Sequence, residues 1–138
     1  MNKLKISILL MLYDAGEKGL TDKQIADRLD INKKGFKKLE TALSEMKQHN
    51  DIAYKKGMCW IKHPEQFFKA EVTRVTPKSG FIRQLGDMPV EYFVRGRDLM
   101  GSIPGDIVLA KQTAEADERF SAEAVVVSVL EANNGLQT

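Results

Sequence analysis

The spacing of apolar residues changes once along this chain, and that change limits the fold more than any other feature. Up to about residue 48 hydrophobic side chains recur at intervals of three and four; from residue 52 onward they recur at intervals of two. The first period belongs to helices packed on one face, the second to strands. Helices first and strands after, within 138 residues, predict an α+β chain of two small domains.

The helical part has punctuation as well as period. Leu4, Ile8 and Leu12, with Leu9 and Met11 beside them, predict a first helix that Ala15-Gly16-Glu17-Lys18-Gly19 breaks. Thr21 followed by Gln24 is a capping box, which starts a second helix with Ile25, Ala26 and Leu29 on its core face. Asp30-Ile31-Asn32 turns the chain tightly. A third helix follows with Phe36, Leu39, Leu43 and Met46 as its apolar stripe, ending before His49-Asn50-Asp51. Ile52 and Tyr54, then Met58 and Trp60, flank Lys55-Lys56-Gly57 as a short hairpin. Helix, helix, tight turn, helix, hairpin is the order of a winged helix-turn-helix, expected over residues 1–66.

His63-Pro64-Glu65 reads as the linker. Beyond it five short strands are expected, at 70–75, 81–85, 90–95, 107–111 and 122–130, with a longer connection after the third and a polar loop over 113–119. That pattern suits a five-stranded OB-fold barrel over 67–133, followed by a tail at 134–138.

Alternation on the strands singles out a face. If Ile82, Tyr92 and Val94 point inward, Phe81, Arg83, Phe93 and Arg95 point outward together. Two aromatics interleaved with two arginines make a stacking surface with phosphate partners, the chemistry that holds single-stranded nucleic acid. The competing reading shifts the register and buries both rings, but it would also turn two unpaired arginines inward. In the helical part, the second helix of a helix-turn-helix pair is the one that enters a DNA groove. Here it carries Lys34, Lys37 and Lys38, and Lys55 and Lys56 sit at the hairpin tip. Its opening turns lack the Arg, Asn or Gln that base readout prefers, so such a face grips backbone without reading sequence; an ordinary solvated face fits equally well. Charge agrees weakly with a polyanion partner. Residues 1–66 hold 13 Lys and Arg against 9 Asp and Glu, net +4, while residues 67–138 hold 8 against 10, net −2.

Lys78-Ser79-Gly80-Phe81-Ile82 resembles the first RNA-binding motif of cold-shock domains, and Tyr92-Phe93-Val94-Arg95 resembles the second. The resemblance implies stacking roles for Phe81 and Phe93, puts Arg95 at the second motif's polar position and brings Lys78 into the site. Ser79 departs from it, standing where the first motif usually has another exposed aromatic, which implies weaker binding. A winged helix followed directly by a cold-shock-like barrel, with the step Gly105-Asp106-Ile107-Val108-Leu109-Ala110, is similar to the N-terminal region of the ribonuclease R and ribonuclease II family. That similarity runs over about residues 4–133. It implies single-stranded RNA as partner; the helix-turn-helix reading leaves duplex nucleic acid open as a further partner through the winged helix. It also implies that the Mg²⁺-dependent cleavage of that family lies in a domain after this region, so no nuclease activity is expected of this chain.

Other chemistries find little support. Cys59 is the only cysteine, so no intrachain disulfide can form; its apolar surroundings predict a buried thiol. His49 and His63 have no Cys or His at metal-ligand spacing and are expected on surface loops. Glu115, Asp117 and Glu118 read as solvated loop charge, and Gly105-Asp106 as a structural turn. No metal or cofactor is expected. No apolar run is long enough to span a membrane, and the acidic Asp14 and Glu17 directly after the first apolar stretch argue for a cytoplasmic protein rather than a secretion signal. Two other readings fit the same residues: a winged-helix regulator bound to duplex DNA, or a protein-docking module.

Overall fold

The computed structural model describes residues 3–87, 89–119 and 121–133. The expected tail at 134–138 lies outside them. The chain divides into two compact units, Met1–Pro64 and Glu65–Thr138. The division falls within the stretch read as the linker, where Pro64–Gln66 forms a short 3-10 turn before the first barrel strand.

The first unit holds three helices and a three-stranded antiparallel sheet. Helix α1 is Lys3–Ala15, α2 is Asp22–Arg28 and α3 is Lys33–Gln48; the strands are β1 Leu20–Thr21, β2 Ile52–Lys55 and β3 Met58–Ile61, in sheet order β1-β3-β2. This is the winged helix-turn-helix arrangement. The capping box forms: the Thr21 hydroxyl accepts from the Gln24 N–H at 3.0 Å, and the Thr21 N–H donates to Gln24 Oε1 at 2.9 Å. Asn32 caps α3 by accepting from the Gly35 N–H at 3.0 Å. Ile8, Leu9, Leu12, Ile25, Leu39, Leu43 and Met46 are fully buried.

Three local expectations need correcting. Phe36 is only half-buried: it lines an open cleft where α2 meets α3. In the hairpin the buried residues are Ile52, Cys59 and Ile61, while Met58 is exposed and Trp60 half-buried. The cause is a two-residue turn at Lys56-Gly57, with φ of 51° and 79°, which pairs Lys55 with Met58. The two-residue strand β1, which pairs Leu20 with Cys59, is too short to leave a periodic signal.

Asp22 ties α2 to the hairpin. Its N–H donates to the Gly57 carbonyl at 2.8 Å, and its Oδ2 accepts from the Tyr54 hydroxyl at 2.9 Å. Burial, then the hydrogen bond to Asp22, pushes the Tyr54 phenol above its ordinary 10.0. Burial, then the charge of Asp22, pushes the Cys59 thiol from 9.0 up to about 12. Both groups therefore stay protonated in the folded state at a pH where the unfolded chain loses those protons. Below pH about 9 the two states hold the same protons and nothing is lost; as pH rises from there towards 12, stability falls. Denaturant midpoints measured from neutral to alkaline pH should show this decline, and Cys59→Ala should make it shallower. An equally steep decline in that variant would assign the effect to other groups.

The second unit is a closed five-stranded barrel. Its strands are β4 Phe67–Val75, β5 Ser79–Gln84, β6 Glu91–Arg95, β7 Ile107–Ala114 and β8 Ala122–Glu131, in order β4-β5-β6-β8-β7 with β7 closing onto β4. The β6–β8 pairing is parallel and the rest are antiparallel. This is the OB-type barrel expected from sequence. Four inward alanines, Ala70, Ala110, Ala122 and Ala124, keep the interior narrow, and Phe68 stacks on Tyr92 at 4.5 Å to fill it. Asp106 is buried; its carboxylate accepts from the Ile103 and Asn133 N–H groups and locks the turn before β7. The Gly105-Asp106 step is thus structural.

Candidate nucleic-acid interface

On β5 and β6 the inward residues are Ile82, Tyr92 and Val94, all buried. Strand alternation turns Phe81, Arg83, Phe93 and Arg95 outward together. Phe81 and Phe93 are direct cross-strand partners. Their rings meet edge to face, with centroids 5.7 Å apart and planes at 69°, an attractive arrangement for two quadrupoles. Both are half-buried, while Arg83 and Arg95 are exposed. Each arginine has a carboxylate beside it: Arg83 Nη2 lies 3.8 Å from Glu71 Oε1, and Arg95 Nε lies 3.7 Å from Glu123 Oε1. Exposed pairs of this kind contribute about 0–1 kcal/mol, so a phosphate can take over either guanidinium easily. Lys78 is exposed in the turn before β5, and its carbonyl accepts from the Gly96 N–H at 2.8 Å.

Gly80, within the first motif, serves packing. A Cβ there would stand 2.8 Å from the Arg74 carbonyl oxygen and 3.0 Å from the Leu99 side chain. The β4–β5 strands and Leu99 close over this position only because it has no side chain.

Arg74 belongs to the same face, and strand alternation alone misses it. Regular pairing from Val72↔Ile82 would set Arg74 opposite Gly80, pointing inward with Val72. A bulge between Val72 and Arg74 instead leaves Thr73 as the extra residue and sets Arg74 opposite Phe81. The Thr73 hydroxyl donates to the Phe81 carbonyl at 3.1 Å, and the Arg74 guanidinium lies 4.5 Å from the centre of the Phe81 ring. A Thr-Arg pair inside an alternating strand gives no sign of this.

Beside the ring pair lies a cleft of about 620 Å³. Its walls include Phe81, Phe93 and Arg95, with Glu123 from β8 and Glu115 and Arg119 from the β7–β8 connection. Glu115, Asp117 and Glu118 are exposed there, and Asp117 accepts from the Arg119 N–H at 2.8 Å. Among the described residues no three His, Cys, Asp or Glu side chains are grouped so as to hold a metal ion.

The second candidate surface is in the winged helix. Lys34, Lys37 and Lys38 are exposed on the first half of α3, and Lys55 and Lys56 are exposed at the end of β2 and in the hairpin turn. A separate cleft of about 480 Å³ lies where α2 meets α3, with Ile31, Phe36, Lys23 and Lys33 among its lining residues. Among the described residues no helix is long and apolar enough to cross a membrane.

No protein-family model matches this chain, and no curated protein does. Two solved structures of Mycoplasma genitalium ribonuclease R match it, the apo form and a complex with ribose-methylated single-stranded RNA. Each is 28% identical over 47% of this chain, with a TM-score of 0.42. The matched part spans 10% of the length of those ribonuclease R chains.

Proposed function

We propose that this chain is the RNA-capturing front end of a ribonuclease R-like 3′→5′ exoribonuclease, cytoplasmic and non-catalytic by itself. The observation that carries this reading is the cross-strand pair of Phe81 and Phe93, turned outward with Arg83 and Arg95 on the same face. A base stacked on such a ring gains about 1–3 kcal/mol. The surface ion pairs that a phosphate displaces are worth about 0–1 kcal/mol, so binding wins. Stacking alone accepts every base, so the rings capture RNA without requiring a particular sequence. The order of parts supports the family: winged helix, then a barrel with the two cold-shock-like motifs on adjacent strands. On this reading the cleavage chemistry lies in another part of the enzyme.

The test is a titration with a labelled single-stranded RNA and with duplex DNA of the same sequence, with Mg²⁺ present. The expected result is tighter binding of the RNA, which stays full length. Tighter binding of the duplex would favour a DNA-binding regulator. Shortening of the RNA that a chelator stops would overturn the non-catalytic part.

The winged-helix lysines have their own signature. If Lys34, Lys37 and Lys38 each hold a phosphate, replacing all three by alanine removes three released counterions. The slope of log affinity against log salt should then flatten by about 2 for single-stranded RNA. Affinity should fall alike for unrelated sequences. An unchanged slope assigns the three lysines to a solvated face.

A further inference from the structure

We propose that the cleft beside the ring pair reads the edge of one stacked base and favours guanine; this rests on the RNA-binding reading of the same face and adds its base preference. Strand register sets five side chains in one row across the barrel. Arg74 on β4 pairs with Phe81 on β5, Phe81 with Phe93 on β6, Phe93 with Glu123 on β8, and Glu123 with Ala114 on β7. Cross-strand partners share a face, and neighbouring strands stand about 4.8 Å apart. A base lying on Phe93 spans about one such step, so its edge reaches the carboxylate of Glu123. Ala114, next in the row, is too small to cover that carboxylate. The same cleft is lined by Arg95 and Arg119, which supply cations for the phosphates on either side of the base.

The chemistry of Glu123 then selects. A carboxylate only accepts hydrogen bonds. Guanine presents N1–H and the N2 amine side by side on its Watson–Crick edge, two donors for two carboxylate oxygens. Adenine and cytosine set a ring-nitrogen acceptor beside their amine, which a carboxylate repels. Uracil sets its single N3–H between two carbonyl oxygens. The contact with Arg95 at 3.7 Å leaves Glu123 partly exposed and able to meet a base edge.

The probe is a short oligouridine in which one central position is uridine, guanosine or inosine, titrated against the intact chain. Guanosine is expected to bind about tenfold tighter than the parent, the lower part of the range for a bidentate contact. Inosine lacks only the N2 amine and should lose most of that gain. In Glu123→Ala the guanosine and inosine oligomers should bind equally, while the parent binds at least as tightly as before because Arg95 is released. Glu123→Gln serves as a second variant should alanine disturb the strand. Equal binding of guanosine and inosine by the unaltered chain overturns the inference, as does a uniform gain for every oligomer in the variant, which would make Glu123 only an electrostatic brake. In both cases the RNA-binding reading stands. If none of the oligomers binds, that reading falls and the inference with it.

Discussion

Phe93→Ala is expected to weaken single-stranded RNA binding by about 1–3 kcal/mol, roughly five- to 150-fold, with little change in stability. The ring is half-buried and outward, so truncation opens no cavity in the barrel. What folding loses is the edge-to-face contact with Phe81, worth about 0.5–1.5 kcal/mol. A ring inside the core would behave otherwise, costing about 3–5 kcal/mol of stability on truncation. Affinity and melting temperature measured on one variant therefore separate the two placements. Phe81→Ala should act in the same direction but less strongly. Arg74 already sits over the Phe81 ring, and a base must share or displace that contact, worth about 0.5–1 kcal/mol at an exposed site. Unchanged affinity with both rings removed would take the barrel face out of the binding surface.

Gly19→Ala should cost about 3 kcal/mol or more in the first unit, the largest stability effect expected from a single methyl group here. Two penalties add. Gly19 has φ of 64° and ψ of −168°, a region open almost only to glycine, where other residues cost about 1–3 kcal/mol. A Cβ there would also overlap the backbone carbonyl of Cys59 on β3. Backbone cannot give way as a flexible side chain can, and overpacking adds about 1–3 kcal/mol. The helical melting transition should fall by about 10 °C or more. Gly16 provides the comparison: its φ is 69°, but open space surrounds it, so Gly16→Ala should carry only the backbone penalty. Equal effects at the two positions would show that the approach of β3 to Gly19 contributes nothing.

Much of the fold was legible in the residues. The capping box at Thr21 and Gln24 is a local bond pattern between side chain and backbone, so it needs nothing distant to form. The stripe of Leu39, Leu43 and Met46 was legible because a long helix has one face to bury. The outward placing of Phe81, Arg83, Phe93 and Arg95 followed from period two on two adjacent strands. Phe36 was not legible, because its exposure depends on how α2 packs beside the start of α3. The hairpin pairing was missed for a related reason: Lys56 takes a positive φ, which its side chain does not announce.

The residues alone determined the order of the longer elements, the inward and outward faces of β5 and β6, and the pair of rings with two arginines on one of them. These depend on periodicity and on local hydrogen bonds, which are written in neighbouring positions. Tertiary structure decided what stands next to the rings. The bulge at Thr73 brings Arg74 over Phe81, because one extra residue on β4 reverses the facing of everything after it. The parallel pairing of β6 with β8 brings Glu123 to Phe93 across 30 positions of sequence. No local pattern encodes that register. It is set by closure of the barrel, which demands a fixed stagger among all five strands at once.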